Sequence, residues 1–353
     1  MAGIYVHIPF CSSRCIYCDF YSSVRRDWTP YVGALCREIE SRKDYLKGVP
    51  PATVYFGGGT PSLLPESELE SLLRALSSSF DLSRVEEFTL EANPDDVTPA
   101  KACFWRSAGV NRVSMGVQSF CDEHLAWMRR RHDAARAVEA FRTLRSAGFD
   151  NISIDLIFGF AALDDAQWDS SIDKVLELRP EHVSCYQMMG RHADSDQEKC
   201  YAQYSRLQKR LAEAGYRQYE ISNWALEGRF SRHNSSYWSR EPYAGFGAAA
   251  HSFDGGTHRR WNLADIDGYI AGKAGGGETL SPRDVFDEQV MLGLRRISGL
   301  DLRLLDGSFS DKMKPVLDKL ARTGDIVLEG SVIRIPAERL FVSDGIVESL
   351  FAD

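Results

Sequence analysis

The sequence predicts an α/β protein: a partial barrel of six strand–helix units followed by a smaller C-terminal α+β domain. Three observations carry this expectation. Through the first two thirds of the chain, short apolar runs alternate with amphipathic stretches, the pattern of a parallel sheet covered by helices. Near residue 220 the texture changes to loops rich in glycine, aromatic residues and histidine. From Ser281 the pattern reads helix, short helix, helix and hairpin.

The expected strands are Ile4–Ile8, Thr53–Phe56, Glu87–Glu91, Arg112–Val117, Asn151–Phe158 and His182–Gln187. Between them lie helical patterns at Pro30–Leu46, Glu66–Ser78, Pro99–Ala108, Asp133–Ala147 and Asp164–Leu178. Asp133–Ala147 sets Ala134, Val138, Phe141 and Leu144 at helical spacing, and Gly148 ends it as a C-cap signal. In barrels of such units the chemistry sits at the C-terminal ends of the strands. Loops are expected from Ser222 to Trp261, a helix at Leu263–Ala271 and a linker at Gly275–Gly277. The tail adds helices at Phe286–Ile297, Asp301–Leu305 and Asp311–Thr323, then a hairpin of Ile326–Glu329 and Val332–Pro336. That order resembles a winged helix. The tail has no strong basic excess, so it reads as a packing or lid domain and not as a DNA reader. The expected division is 1–225 for the core, 226–280 for a loop and linker region and 281–353 for the C-terminal domain.

At 353 residues the chain suits one large and one small domain, and 44% hydrophobic residues supply a sizeable core. A formal charge of −8 argues against nucleic acid as a partner. No run of about 18 apolar residues appears, so no membrane span is expected. Met1-Ala-Gly-Ile leads directly into the first strand without a signal peptide pattern. Cys36, Cys103, Cys121, Cys185 and Cys200 are scattered, as buried small side chains in a reducing cytoplasm would be.

The chemistry concentrates in a few strings. Cys11, Cys15 and Cys18 form C-x3-C-x2-C directly after the first strand. A tetrahedral zinc site would want a fourth ligand at a usual spacing, and none follows. Three thiolates can instead hold three irons of a [4Fe–4S] cluster and leave the fourth open. The plain alternatives are a chance cluster or a partial zinc site. Phe10, Tyr17 and Phe20 are placed to shield such a cluster. Gly57-Gly-Gly-Thr-Pro61 follows the second strand, and its glycines let backbone approach a ligand closely. Glu91, at the end of the third strand, offers a carboxylate to hydroxyls or an amine, or is simply ion-paired. Gln118 and Arg130 follow the fourth strand. Arg130 can grip a carboxylate bidentately, although Arg129–Arg131 also suits a solvated helix end. Asp155 lies in the apolar fifth strand, where a buried carboxylate needs a ligand or a structural ion pair. Ser231-Arg-His-Asn-Ser-Ser-Tyr-Trp238 places a histidine with flat aromatic surface, and Gly245–Phe253 adds His251. His233 and Trp238 equally suit a barrel cap, and His251 a satisfied core histidine. His7 is expected to support the cysteine loop.

These strings resemble the radical S-adenosylmethionine (SAM) superfamily, and within it the coproporphyrinogen III oxidase-like family, over essentially the whole chain. The resemblance implies that Cys11, Cys15 and Cys18 ligate a [4Fe–4S] cluster. It also implies that Tyr5, Gly58, Thr60, Glu91, Gln118, Arg130 and Asp155 contact SAM. Family members that decarboxylate coproporphyrinogen III usually carry a fourth cysteine two residues after the third and a long N-terminal extension. Here position 20 is Phe and ten residues precede Cys11. Both features resemble the HemW branch, the heme chaperones, as does the H-N-x-x-Y-W string. That branch implies that His233, Asn234, Tyr237 and Trp238 contact heme. Two departures stand out: Gly159-Phe-Ala-Ala-Leu-Asp replaces Gly-Leu-Pro and a polar turn, and Met188–Ser195 is short and lacks Glu-Gly-Thr-Pro-Phe.

The expectation is therefore a cytoplasmic heme chaperone that binds [4Fe–4S], SAM and heme and passes heme to an acceptor hemoprotein. SAM is a structural or gating ligand, cleaved slowly at most, with an electron donor needed for cleavage. Relatives suggest a homodimer. The rivals are a coproporphyrinogen III dehydrogenase, a radical SAM enzyme on another substrate such as a methyl transfer, and a zinc-bound scaffold.

Overall fold

Six parallel strands form in chain order because each apolar run is bounded by turn residues and followed by an amphipathic helix that covers it. The structure, a computed structural model, describes residues 1–25 and 27–352. The units run β1 (Ala2–Ile8), α1 (Trp28–Ser41), β2 (Pro51–Gly58), α2 (Glu66–Ser79), β3 (Glu87–Ala92), α3 (Pro99–Ser107) and β4 (Arg112–Gln118). They continue with α4 (Asp122–Trp127), α5 (Ala134–Ser146), β5 (Ile152–Phe158), α6 (Asp165–Leu178), β6 (His182–Gln187) and α7 (Gln197–Glu213). Side-chain caps start several helices: Asp133 on α5, Asp196 on α7, and a reciprocal Asp164–Gln167 box on α6. The first helix stops at Ser41 and gives way to turns, earlier than its apolar pattern suggests.

The region expected to be loops is more ordered than its composition implies. It contributes β7 (Arg217–Glu220), β8 (Asn223–Ala225), α8 (Arg232–Trp238), β9 (Tyr243–Phe246), β10 (His251–Phe253), β11 (His258–Trp261) and α9 (Ile266–Ile270). The glycines expected to form a linker lie in β12 (Gly276–Thr279), which pairs with β11. One twelve-stranded sheet results, in the order β12-β11-β10-β9-β1-β2-β3-β4-β5-β6-β8-β7. β9 joins β1 in parallel, whereas β10–β12 and β7–β8 run antiparallel at the two edges.

The tail follows the expected order: α10 (Pro282–Arg295), β13 (Leu300–Asp301), α11 (Gly307–Thr323), β14 (Val327–Glu329), β15 (Val332–Arg334) and α12 (Ser343–Glu348). β13, β14 and β15 form a separate three-stranded sheet. The short helix expected at Asp301–Leu305 is a single 3-10 turn, Leu302–Leu304. This unit docks through Arg295, whose Nε donates to the fully buried Glu220 at 2.7 Å, and through Ile297 N to Tyr219 O at 3.2 Å.

The inner face of the parallel strands is polar. Thr53, Glu87, Thr89, Arg112, Ser153 and His182 are all buried there. α8 closes the N-terminal end of this interior. Glu87 accepts from the backbone N–H groups of Arg232 (2.8 Å) and His233 (2.9 Å), with Ser231 Oγ at 3.5 Å, so a β3 carboxylate caps the helix from across the fold. Glu87→Ala should cost about 2 kcal/mol, because it orphans buried donors at a helix N-terminus. A lower urea midpoint at unchanged slope is the expected result, and an unchanged midpoint would deny the cap any net role.

Candidate functional site

The cysteine loop leaves β1 and returns at once. Cys11 N donates to Ser23 O (2.8 Å) and Ser23 N to Pro9 O (2.6 Å), which closes the neck of the loop. His7 supports it from below: its Nε2–H donates to Tyr21 O (3.0 Å) and its Nδ1 accepts from the Tyr5 hydroxyl (2.9 Å). Burial lowers the His7 pKa to about 4, consistent with that neutral tautomer. Thr60 Oγ1 donates to Cys11 Sγ at 3.4 Å and Arg130 Nη1 to Cys15 Sγ at 3.6 Å. Such donors favour thiolate sulfur. Burial pushes the Cys11 and Cys18 thiols up, so bound positive charge is what would ionise them. Phe10 departs from expectation: it is fully buried against Trp28 and Tyr31, away from the loop. Tyr17 and the exposed Phe20 do border the site.

The three thiols open onto a cavity of about 550 Å³. Gly58, Thr60, Glu91, Gln118, Arg130, Asp155 and Asn234 all line it, so strands β2 to β5 and α8 share one interior space. The glycine turn is tight for reasons internal to the protein. Gly58 has φ +108°, and a Cβ there would meet the His7 ring at 2.4 Å; one on Gly59 would meet Ile8 O at 2.8 Å. Their amides are also committed, Gly58 N to Glu91 Oε2 (3.0 Å) and Gly59 N to Ile8 O (2.8 Å). Glycine here lets the turn lie against β1, and the ligand meets the surface that remains.

Glu91 accepts from the Tyr55 hydroxyl at 2.7 Å as well as from Gly58. Burial nonetheless raises its pKa to about 7, opposed by the Tyr55 hydrogen bond and assisted by Asp155. Asp155 takes hydroxyl hydrogen bonds from Ser114 (3.2 Å) and Ser153 (3.2 Å), and burial raises it too. Its neighbours are serines, and its cationic neighbour is Arg112, which is 1% exposed. Gln118 adopts φ +71° where the β4–β5 register shifts, a bulge that turns its side chain into the cavity. Gly116 leaves the space: a Cβ there would meet Gln118 Nε2 at 2.8 Å. Arg130 also reaches Tyr17 Oη (3.3 Å) and the Gly116 carbonyl, whereas Arg131 pairs with Asp96 at 2.9 Å.

Tyr5 lies beneath this cavity, hydrogen-bonded to His7 and stacked on Tyr55 at 6.1 Å between centroids. The H-N-x-x-Y-W string is divided. His233 is 1% exposed, with Nδ1 on Thr53 Oγ1 (2.8 Å) and Nε2 on the Tyr237 hydroxyl (2.8 Å). Burial, then Arg112, lower its pKa to about 3. With both nitrogens engaged, His233 is part of the barrel plug. Tyr237 belongs to the same plug. Tyr237 also borders, with Trp238, a separate groove, and only Asn234 reaches the cavity. The shortened segment after β6 turns through Gly190–His192 and ties back to β5 by Asp194 N to Gly159 O at 2.8 Å, leaving Met189 74% exposed at the mouth.

Sequence reasoning missed Tyr55, Ser114, Ser184 and Tyr186, which share the cavity. The alternation of inward positions along β2, β4 and β6 is the signal that finds them. Among the described residues no group of three or more His, Cys, Asp and Glu side chains is arranged to hold a single metal ion. Three thiols spaced along a loop, two already receiving hydrogen bonds, fit the corners of a cluster. Arg130 Nε and Asn93 Oδ1 border the cavity buried and without a partner among the described residues, as a polar ligand would require.

Comparison with known proteins agrees with this geometry. The Radical SAM superfamily model matches residues 5–175. The chain is 36% identical over 352 residues to the Bacillus subtilis (strain 168) protein named Heme chaperone HemW, covering 90% of this chain and 92% of that protein. A protein of the same name from Lactococcus lactis subsp. lactis (strain IL1403) is 35% identical over 337 residues, covering 90% and 86%. Among solved structures, the radical SAM coproporphyrinogen III oxidase HemN of Escherichia coli superposes with a TM-score of 0.86 at 22% identity, covering 99% of this chain and 90% of that one. At that identity the likeness is one of fold.

The Glu91 carboxyl sets a pH dependence. Above about 7 it is charged and attracts a cationic ligand; below, it is neutral. Affinity for SAM, whose sulfonium and ammonium are positive, should therefore fall as pH drops through about 7. Glu91→Gln should lower affinity about tenfold above that pH and flatten the profile. Anaerobic equilibrium dialysis checks this, and a flat wild-type profile would remove Glu91 from the ligand's charge environment.

Proposed function

The chain belongs to the HemW family of radical SAM proteins, and on that premise we propose that it is a heme chaperone, binding heme and handing it to an acceptor hemoprotein. The observation that carries the reading is the similarity to heme chaperones along nine tenths of the chain, joined to a three-thiol loop in which Phe20 stands where a fourth cysteine is expected in coproporphyrinogen III decarboxylation. Cys11, Cys15 and Cys18 hold a [4Fe–4S] cluster. Glu91 and Asp155 supply negative charge for SAM, Gln118 and Arg130 supply donors for its carboxylate and ribose, and Gly58 and Thr60 supply the turn beside it. When bound, the cluster and SAM provide one-electron chemistry at an open iron. Thr60 and Arg130, hydrogen-bonded to cysteine sulfur, fix the loop and tune it.

Heme is the cargo. An external electron donor is needed only for slow SAM cleavage, and the chain works in the reducing cytoplasm, as its eight free cysteines suit. No helix among the described residues is long and apolar enough to cross a membrane. A homodimer is the proposed assembly when cluster and SAM are bound.

Heme-loaded, cluster-reconstituted protein mixed anaerobically with an apo-hemoprotein should transfer heme, seen as the acceptor's Soret band growing at the donor's expense. Cys15→Ala should lose the cluster's visible absorbance. Retention of heme by the loaded protein, with coproporphyrinogen III converted to vinyl product, would replace the chaperone reading with the dehydrogenase one.

A further inference from the structure

The heme-chaperone reading leaves the seat of heme open, and it assigns the barrel cavity to the cluster and SAM. A second groove of about 520 Å³ lies at the opposite end, between the antiparallel extension of the sheet and α10 of the C-terminal unit. Tyr243, Phe253 and Trp261 from the sheet face Trp238 and Leu292 across it, so its walls are flat and apolar. That shape takes a planar macrocycle.

One imidazole in this groove is free. The chain has eight histidines. His7, His124, His132, His182, His192 and His233 each have a hydrogen-bonded ring nitrogen, and His258 faces Asp254 at 3.5 Å. His251 alone has no such partner among the described residues. It is exposed while Ser252 and Phe253 beside it are buried. Its ring stacks on Trp261, opposite it in the β10–β11 pair, at 5.8 Å between centroids and 27° between planes.

The rim carries two guanidinium groups whose charge is balanced by carboxylates. Arg240 and Arg259 border the groove and both pair with Glu288. The other two rim carboxylates are also neutralised, Glu278 by Arg259 (3.6 Å) and Glu241 by the N-terminal ammonium (2.5 Å). The Trp238 indole N–H is buried without an acceptor among the described residues, a donor that a carboxylate could meet.

We propose that this groove is the heme site and that His251 is the axial ligand of heme iron. The proposal rests on the heme-chaperone reading. Heme packs among Trp238, Tyr243 and Phe253, with its propionates at the Arg240–Arg259 rim. Because the groove is at the other end of the fold from Cys11–Cys18, heme and SAM bind together.

The test is an anaerobic heme titration of cluster-reconstituted protein, followed by the Soret band, with His251→Ala, His251→Met and His233→Gln alongside. Wild type should saturate near one heme per chain. His251→Ala should weaken binding by about tenfold or more and shift the band, since an imidazole–iron bond is lost. His251→Met, which keeps a soft ligand, should retain saturable binding with a changed spectrum. His233→Gln should leave the band position unchanged, and saturating SAM should leave heme affinity within about twofold. An unaltered affinity and spectrum in His251→Ala, or competition between SAM and heme, would overturn the site while leaving the chaperone reading intact. No saturable binding by wild type would overturn both.

Discussion

A parallel barrel with a polar interior must satisfy each donor and acceptor it buries, and that requirement organises this protein. The strands bring Thr53, Glu87, Thr89, Arg112, Ser153 and His182 inward, where an unpaired group costs stability. The answer is a chain of mutual satisfaction. Ser153 meets His182 Nδ1 at 2.8 Å, and His182 Nε2 meets the Tyr219 hydroxyl at 2.7 Å. Thr53 meets His233, and His233 meets Tyr237. Glu87 holds the first N–H groups of α8. The helix that closes the barrel is therefore fixed by the barrel's own interior, and the chain after it, including β9 beside β1, inherits its position.

The opposite end uses the same physics with some groups left unpaired. Glu91 and Asp155 share one buried space, where burial raises the cost of ionising each, Asp155 adds to that of Glu91, and Arg112 is the compensating cation. Arg130 keeps one nitrogen without a partner among the described residues although most of its surface is covered. Gln118 and Arg129 hold left-handed backbone at φ +71° and +60°, each worth of order 1 kcal/mol of strain or more. A fold does not retain orphaned donors, raised carboxylates and strained backbone in one place unless something bound there repays them. The arrangement suits a ligand that is cationic at one point and carboxylate-bearing at another.

Much of this was legible in the chain, for identifiable reasons. The parallel strands alternate apolar residues, packed under the helices, with polar residues turned to the interior, and turn residues bound each run. The cysteine triplet follows β1, Glu91 and Gln118 stand near the ends of β3 and β4, Asp155 lies within β5 and Arg130 beyond α4, and all line one cavity. The tail kept its helix–hairpin order because its capping residues are local signals. Other features were not legible. β10, β11 and β12 are three or four residues long and rich in Gly, Arg and His, so no alternating apolar pattern marks them. α7 carries little sequence signal because its charged surface outweighs the buried stripe of Cys200, Tyr204, Leu207 and Leu211. Phe10 was placed at the cluster by proximity in sequence, whereas the turn after β1 sends it to the core against Trp28 and Tyr31.

The H-N-x-x-Y-W string shows what a helix adds to spacing. Once those residues are helical, His233 and Tyr237 are four apart and share a face, which is why they hydrogen-bond at 2.8 Å. Trp238 is five apart from His233, about 140° around the axis, and so points elsewhere. The inward face is spent on the barrel, and the outward face leaves Trp238 under the Arg295 guanidinium at 4.4 Å, where the C-terminal unit meets the sheet. The string is thus a hinge point of the architecture. It seals one cavity with its histidine and builds the wall of another with its tryptophan, and the histidine free to act in that second space lies thirteen residues beyond Trp238, at position 251.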